Sequence, residues 1–161
     1  MSYNELKEMG IVEERPTEIA EVIALVTRAE RDLDTSRFLR DKDEEWAFAA
    51  AYQAIARSAR ALILSEGLRP KGARGRDAQK TVVTASGVIL GERYKSLINK
   101  FDRMRRKYQS FVEDSGRIIS RYEAGQAIHD AEEFIAIVNG KIREKYSQMS
   151  LLNDVPQLVS R

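Results

Sequence analysis

Apolar residues recur at intervals of three and four through most of this chain, and that period admits helices and little else. A first stripe, Ile19, Val22, Ile23, Val26, Ala29 and Leu33, predicts a helix over 16–34. Pro16 suits a first-turn position, and Glu18 and Glu21 suit the positive end of the helix dipole. Residues 37–42 read as a connection. A second stripe, Phe48, Tyr52, Ile55, Ala59 and Leu62, predicts a helix over 43–66, opened by Asp43, Glu44 and Glu45 and stopped by Gly67. Residues 67–76 hold three glycines and a proline and predict a loop. A third helix is expected over 77–90. There Val82, Val83, Val88 and Ile89 are β-branched and Gly87 interrupts, so a strand is the competing reading.

The fourth helix, over 92–114, carries Tyr94, Leu97, Ile98, Phe101, Met104, Tyr108 and Phe111 on one side. Arg93, Lys100, Arg103 and Lys107 recur on another. The fifth, over 120–146, buries Ala127, Ile128, Ala131, Phe134, Ile135, Val138 and Ile142, and Ser120 with Glu123 makes a capping box. The expected fold is therefore all-α, an antiparallel bundle of four to five helices. Residues 1–15 are expected as an N-terminal tail, 16–147 as the bundle and 148–161 as a C-terminal tail. At 161 residues, 43% of them hydrophobic, the chain can bury a core without staples.

Composition removes several chemistries. The chain has no cysteine, which excludes disulfides, thiolate metal sites and a thiol nucleophile. Its single histidine, His129, cannot build a multi-histidine metal site, and no cofactor is implied. Ser58 and Ser65 have no histidine base within sequence reach, so a Ser-His-Asp triad is not expected. Residues 1–15 hold several glutamates and no apolar targeting segment, and no 18-residue apolar run follows. A cytoplasmic location without membrane contact is the resulting expectation.

Charge is distributed unevenly. Residues 1–66 hold 9 basic and 14 acidic side chains, residues 67–107 hold 12 and 3, and residues 108–161 hold 6 and 8. The central segment, at +9, either forms a polyanion-binding surface or pairs with its acidic flanks inside the fold.

The passage from Ala51 to Gly72, with Tyr52-Gln53-Ala54-Ile55, Ala59-Arg60-Ala61-Leu62-Ile63 and Arg69-Pro70-Lys71-Gly72, resembles the HEPN domain family. Met104-Arg105-Arg106-Lys107 resembles a second family passage, and the resemblance spans residues 17–147. It implies a helical bundle that homodimerises. It also implies either a metal-independent ribonuclease, in some members the toxin of a toxin–antitoxin pair, or a non-catalytic domain that binds RNA, a nucleotide or a protein. A nucleotidyltransferase-type protein is an implied partner.

The family's catalytic signature is an arginine followed four to six residues later by a histidine. Aligned on Arg105-Arg106-Lys107, this chain has Tyr108 where the motif arginine would stand, Gln109 in the next polar slot and Glu113 in the closing slot. His129 lies eight residues past Arg121, outside the allowed spacing. A mechanism in which histidine polarises a 2′-hydroxyl and arginine holds the phosphate lacks both parts. A binding role through the basic 69–107 region is thus the favoured expectation, and ribonuclease or toxin activity the alternative. Were chemistry to survive, Arg105, Arg106 and Tyr108 are the residues left to carry it.

Phosphate-binding candidates are Arg69, Lys71, Arg74 and Arg76 on the glycine-rich loop, and Arg103 and Lys107 on the fourth helix. The competing reading of each is a solvated or ion-paired surface. Arg103, Arg105, Arg106 and Lys107 spread around their helix and cannot all face one ligand. Arg57 and Arg60 share one side of the second helix, where they either line the groove in which the family places its active site or bridge to acids nearby. Trp46 is expected in the core or at a dimer interface.

Overall fold

The computed structural model of the chain describes residues 1–71, 76–113 and 119–148. Described elements follow the order α1 (Tyr3–Glu8), β1 (Val12–Glu14), α2 (Ile19–Leu39), α3 (Glu44–Ser65), β2 (Leu68–Pro70), α4 (Arg76–Leu90), a 3₁₀ turn (Glu92–Tyr94), α5 (Lys95–Glu113) and α6 (Arg121–Gln148). The fold is all-α, as the periodicity predicts.

Helix α3 is the axis of the molecule. Asp43 caps it, its carboxylate accepting the Trp46 N–H at 3.0 Å. Seven alanines (47, 49, 51, 54, 56, 59 and 61) are buried along it, and these small side chains let α2, α4, α5 and α6 approach closely. Phe48, Tyr52, Ile55, Ala59 and Leu62 are all buried, as are the seven stripe residues of α6. The chain leaves α3 through Gly67 at φ +71°, a conformation that glycine alone adopts without strain. Helix α4 is a helix despite its β-branched residues. Its Gly87 faces Ile98 of α5, where an added Cβ would sit 3.4 Å from the isoleucine methyl, at the near edge of ordinary van der Waals contact. The capping box of α6 is formed: Glu123 N–H donates to the Ser120 hydroxyl, and Ser120 N–H to the Glu123 carboxylate, each at 3.1 Å.

Three expectations need correction, and for Trp46 one of two alternatives falls away. Residues 1–15 are no loose tail, because Leu6 and Val12 are fully buried. Part of the expected loop over 67–76 is strand. β1 and β2 pair antiparallel with Val12 opposite Pro70, Glu13 opposite Arg69 and Glu14 opposite Leu68. Helix α2 runs on through the expected connection to Leu39, where Ser36 is buried and donates to the Ala47 carbonyl at 2.5 Å. Trp46 is not core; it is 61% exposed, touching the Phe111 ring edge-on at 6.0 Å. No described helix is long and apolar enough to cross a membrane.

Candidate functional site

Helix α5 distributes its cations to three environments, because successive residues turn by about 100°. Arg105 points inward and is only 8% exposed. Its Nε and Nη2 both donate to the Asp102 carboxylate at 2.8 Å, and Nη1 donates to the Gln109 side-chain carbonyl at 3.3 Å. A buried guanidinium needs such partners, since desolvation would otherwise cost several kcal/mol, on the order of a broken buried pair. Arg106 points to solvent and meets the other Asp102 oxygen at 3.4 Å. Arg103 and Lys107 turn toward α6.

There they enter a cleft of about 310 Å³ lined by Phe48 of α3, Lys100, Arg103, Met104 and Lys107 of α5, and Tyr122, Glu123, Gln126, Ala127 and Asp130 of α6. Lys100, Arg103 and Lys107 fall at intervals of three and four and so share a face. Lys107 pairs with Glu123 at 2.5 Å. Lys100 lies 3.8 Å from both Asp130 and Glu133. Arg103 is exposed and makes no ion pair among the described residues. The cleft's three cations stand against Glu123 and Asp130 in its lining and Glu133 beside Lys100, so the charges are near balance and Arg103 is the cation left without an acid beside it. A larger groove between α2 and α6 is lined by Glu30, Asp34 and Glu132 against the single cation Arg37, a balance that repels anions.

The remaining candidates lie elsewhere. Arg69 is held across the strand pair by Glu13. Lys71 is exposed, its backbone N–H donating to the Ile11 carbonyl at 2.9 Å. β2 directly follows α3, whereas the cleft takes Phe48 from the other end of that helix. The 17 residues from Phe48 to Ser65 rise about 25 Å. The 69–107 region is therefore two separate surfaces. Arg74 and the side chain of Arg76 lie outside the described residues. Arg57 bridges to Asp32 of α2 at 3.2 Å. The positive charge of Arg60 instead acts on the buried Tyr52 phenol. His129 is exposed on α6.

Tyr108, in the first slot that the resemblance assigns to the family motif, faces the junction of α3, α4 and α5. Tyr108 stacks on Tyr52, and its hydroxyl accepts from the Gln53 amide at 3.0 Å. The Tyr52 hydroxyl donates to the Gln79 side-chain carbonyl at 2.7 Å. Burial pushes the Tyr52 phenol well above its ordinary value, with the positive charges of Arg60 and Arg105 opposing the shift only in part. Gln109 spends its carbonyl on Arg105. The Glu113 side chain lies outside the described residues.

Lys100 and Tyr122 are the site residues that sequence reading left out. Lys100 was visible as the first member of the 100–103–107 row. Tyr122 gives no periodic signal, because its 78% exposure is a consequence of how α6 begins beside α5.

The chain is thus an all-α domain with a small cleft between two helices, one of its arginines without an ion pair, and no cluster of metal-ligating side chains among the described residues. The HEPN domain family model matches residues 22–142, most of the chain, and the protein belongs to that family. No curated protein and no solved structure matches it.

Proposed function

We propose that this HEPN domain is a non-catalytic binding module that takes RNA or a nucleotide in the α5–α6 cleft. The observation that carries the reading is Arg103, an exposed arginine with no ion-pair partner among the described residues, between two lysines on the same helix face. An unneutralised guanidinium beside a polar-rimmed cleft gives a phosphate its strongest contact. Lys100 and Lys107 are already held by carboxylates and add less. The motif slots support binding over cleavage: Tyr108 and Gln109 are engaged in internal contacts, and Arg105 is buried against Asp102.

Fluorescence anisotropy of a labelled single-stranded RNA at two salt concentrations tests the reading, with the same samples run on a denaturing gel. Salt-sensitive binding of intact RNA is expected. Arg103→Ala should lower the slope of log affinity against log salt by about 0.7, the share of one phosphate contact. Cleaved RNA would replace the binding reading with a ribonuclease whose residues differ from the family's. No binding at low salt would leave Arg103 a surface charge and turn attention to a protein partner.

A further inference from the structure

We infer that the occupant of the α5–α6 cleft is an unpaired nucleic-acid strand, with one base laid on the Tyr122 ring and an adjoining phosphate on Arg103. The inference rests on the reading of the cleft as an RNA-binding surface and adds the form of the polymer that enters it.

Tyr122 is the most exposed large apolar side chain of the described residues, at 78%. It nevertheless lines the cleft together with Arg103 and Lys107. No aromatic ring of the described residues stacks on it and no cation covers it. The ring is thus an open platform at the mouth of the cleft that holds Arg103. Every nucleobase has a face to lay on such a platform, and stacking of this kind does not depend on sequence.

Charge points the same way. A duplex is held by many phosphate contacts along two strands, and its base faces are already stacked. The cleft has near-balanced charge and one cation without an ion pair among the described residues, too little for that mode. A single strand needs less: one phosphate against Arg103 and one splayed base against Tyr122. Lys100 and Lys107 flank Arg103 and keep the neighbouring backbone near it, while Glu123 and Asp130 limit the number of phosphates that can approach.

The test compares three labelled probes: a short oligoadenosine RNA, an abasic strand of the same length and charge, and the same RNA annealed to its complement. The oligoadenosine strand should bind about tenfold more tightly than the abasic one, within the range of a single base–aromatic stack. Tyr122→Ala should bring the RNA down to the abasic level without altering the salt slope. Tyr122→Phe should preserve the difference, because the ring and not the hydroxyl is the platform. Equal affinity for RNA and abasic strand, a Tyr122→Ala protein that binds like the parent, or duplex bound as tightly as single strand would each overturn the stacking inference. In those cases the phosphate reading of Arg103 stands. Binding of neither strand at low salt would remove that reading, and the inference with it.

Discussion

The rings of Tyr52 and Tyr108 stack with centroids 4.5 Å apart and planes inclined by 25°. One belongs to the central helix α3, the other to α5 at the position that the resemblance aligns with the motif arginine. Gln53 and Gln79 hold the two hydroxyls, so α3, α4 and α5 meet at this pair. A tyrosine here joins helices, and the ring that does so no longer reaches outward.

Tyr108→Phe should retain the stack and lose only the acceptor for Gln53. The expected cost is about 0.5–1.5 kcal/mol, that of one hydrogen bond whose partner can turn to water. Tyr108→Ala removes the ring as well and should cost clearly more. Urea denaturation of both variants measures this. A phenylalanine variant as damaged as the alanine one would make the hydroxyl the essential contact.

Alkaline pH should weaken the fold through Tyr52. Burial holds its folded pKa above the unfolded value of 10.0. Burial, with Glu66 adding to it, raises Tyr3 and Tyr146 as well. A raised folded pKa means that the native state keeps a proton which the unfolded state releases. The stabilisation is present below about pH 10 and falls as pH rises beyond it, by up to about 1.4 kcal/mol per pH unit for one full proton. Tyr52→Phe cannot titrate. Its stability should therefore fall less steeply than the parent's between about pH 9 and about pH 11, against the shared background of lysine deprotonation. Parallel curves for the two proteins would exclude Tyr52 as a source of the slope.

Long periodic segments were legible in the sequence, and short or non-local features were not. The stripes of α3 and α6 were read correctly because each repeats over about four turns. β1 and β2 have three residues each and find one another across more than 50 positions, so no local period announces them. α1 is only six residues long, although its capping box, Ser2 with Glu5, was open to inspection. The partition of α5 into inward Arg105, outward Arg106 and cleft-facing Arg103 follows from helical geometry. Arg105 and Arg106 find Asp102 on their own helix, whereas the partners of the flanking lysines are acids that α6 brings from 16 or more positions away, such as Glu123 beside Lys107. Of the two expectations for Trp46, burial in the core fails because the first turn of α3 leaves the ring outside.

Leu6→Ala should show that the N-terminal segment belongs to the folded unit. Leu6 is 0% exposed and packs in the main core with Val12 and Leu68. Truncating a fully buried leucine costs about 2–5 kcal/mol. Chemical denaturation should report a single transition shifted by that amount. A change below about 0.5 kcal/mol, typical of surface sites, would return residues 1–15 to the status of a tail.

Arg69→Ala combined with Lys71→Ala separates the two halves of the basic region. Arg69 already faces Glu13 across the strand pair, and an exposed pair of this kind is worth about 0–1 kcal/mol. Stability should drop by no more than that. The β2 end of α3 lies about 25 Å along the helix from the cleft, so a short RNA held at Arg103 does not reach it. With such an RNA the double variant should keep the parent's salt slope, whereas Arg103→Ala should reduce it. A slope lowered by about 1.4, two phosphate contacts for a single strand, would instead put the strand end of the molecule in the binding surface. The ligand would then have to span both ends of α3.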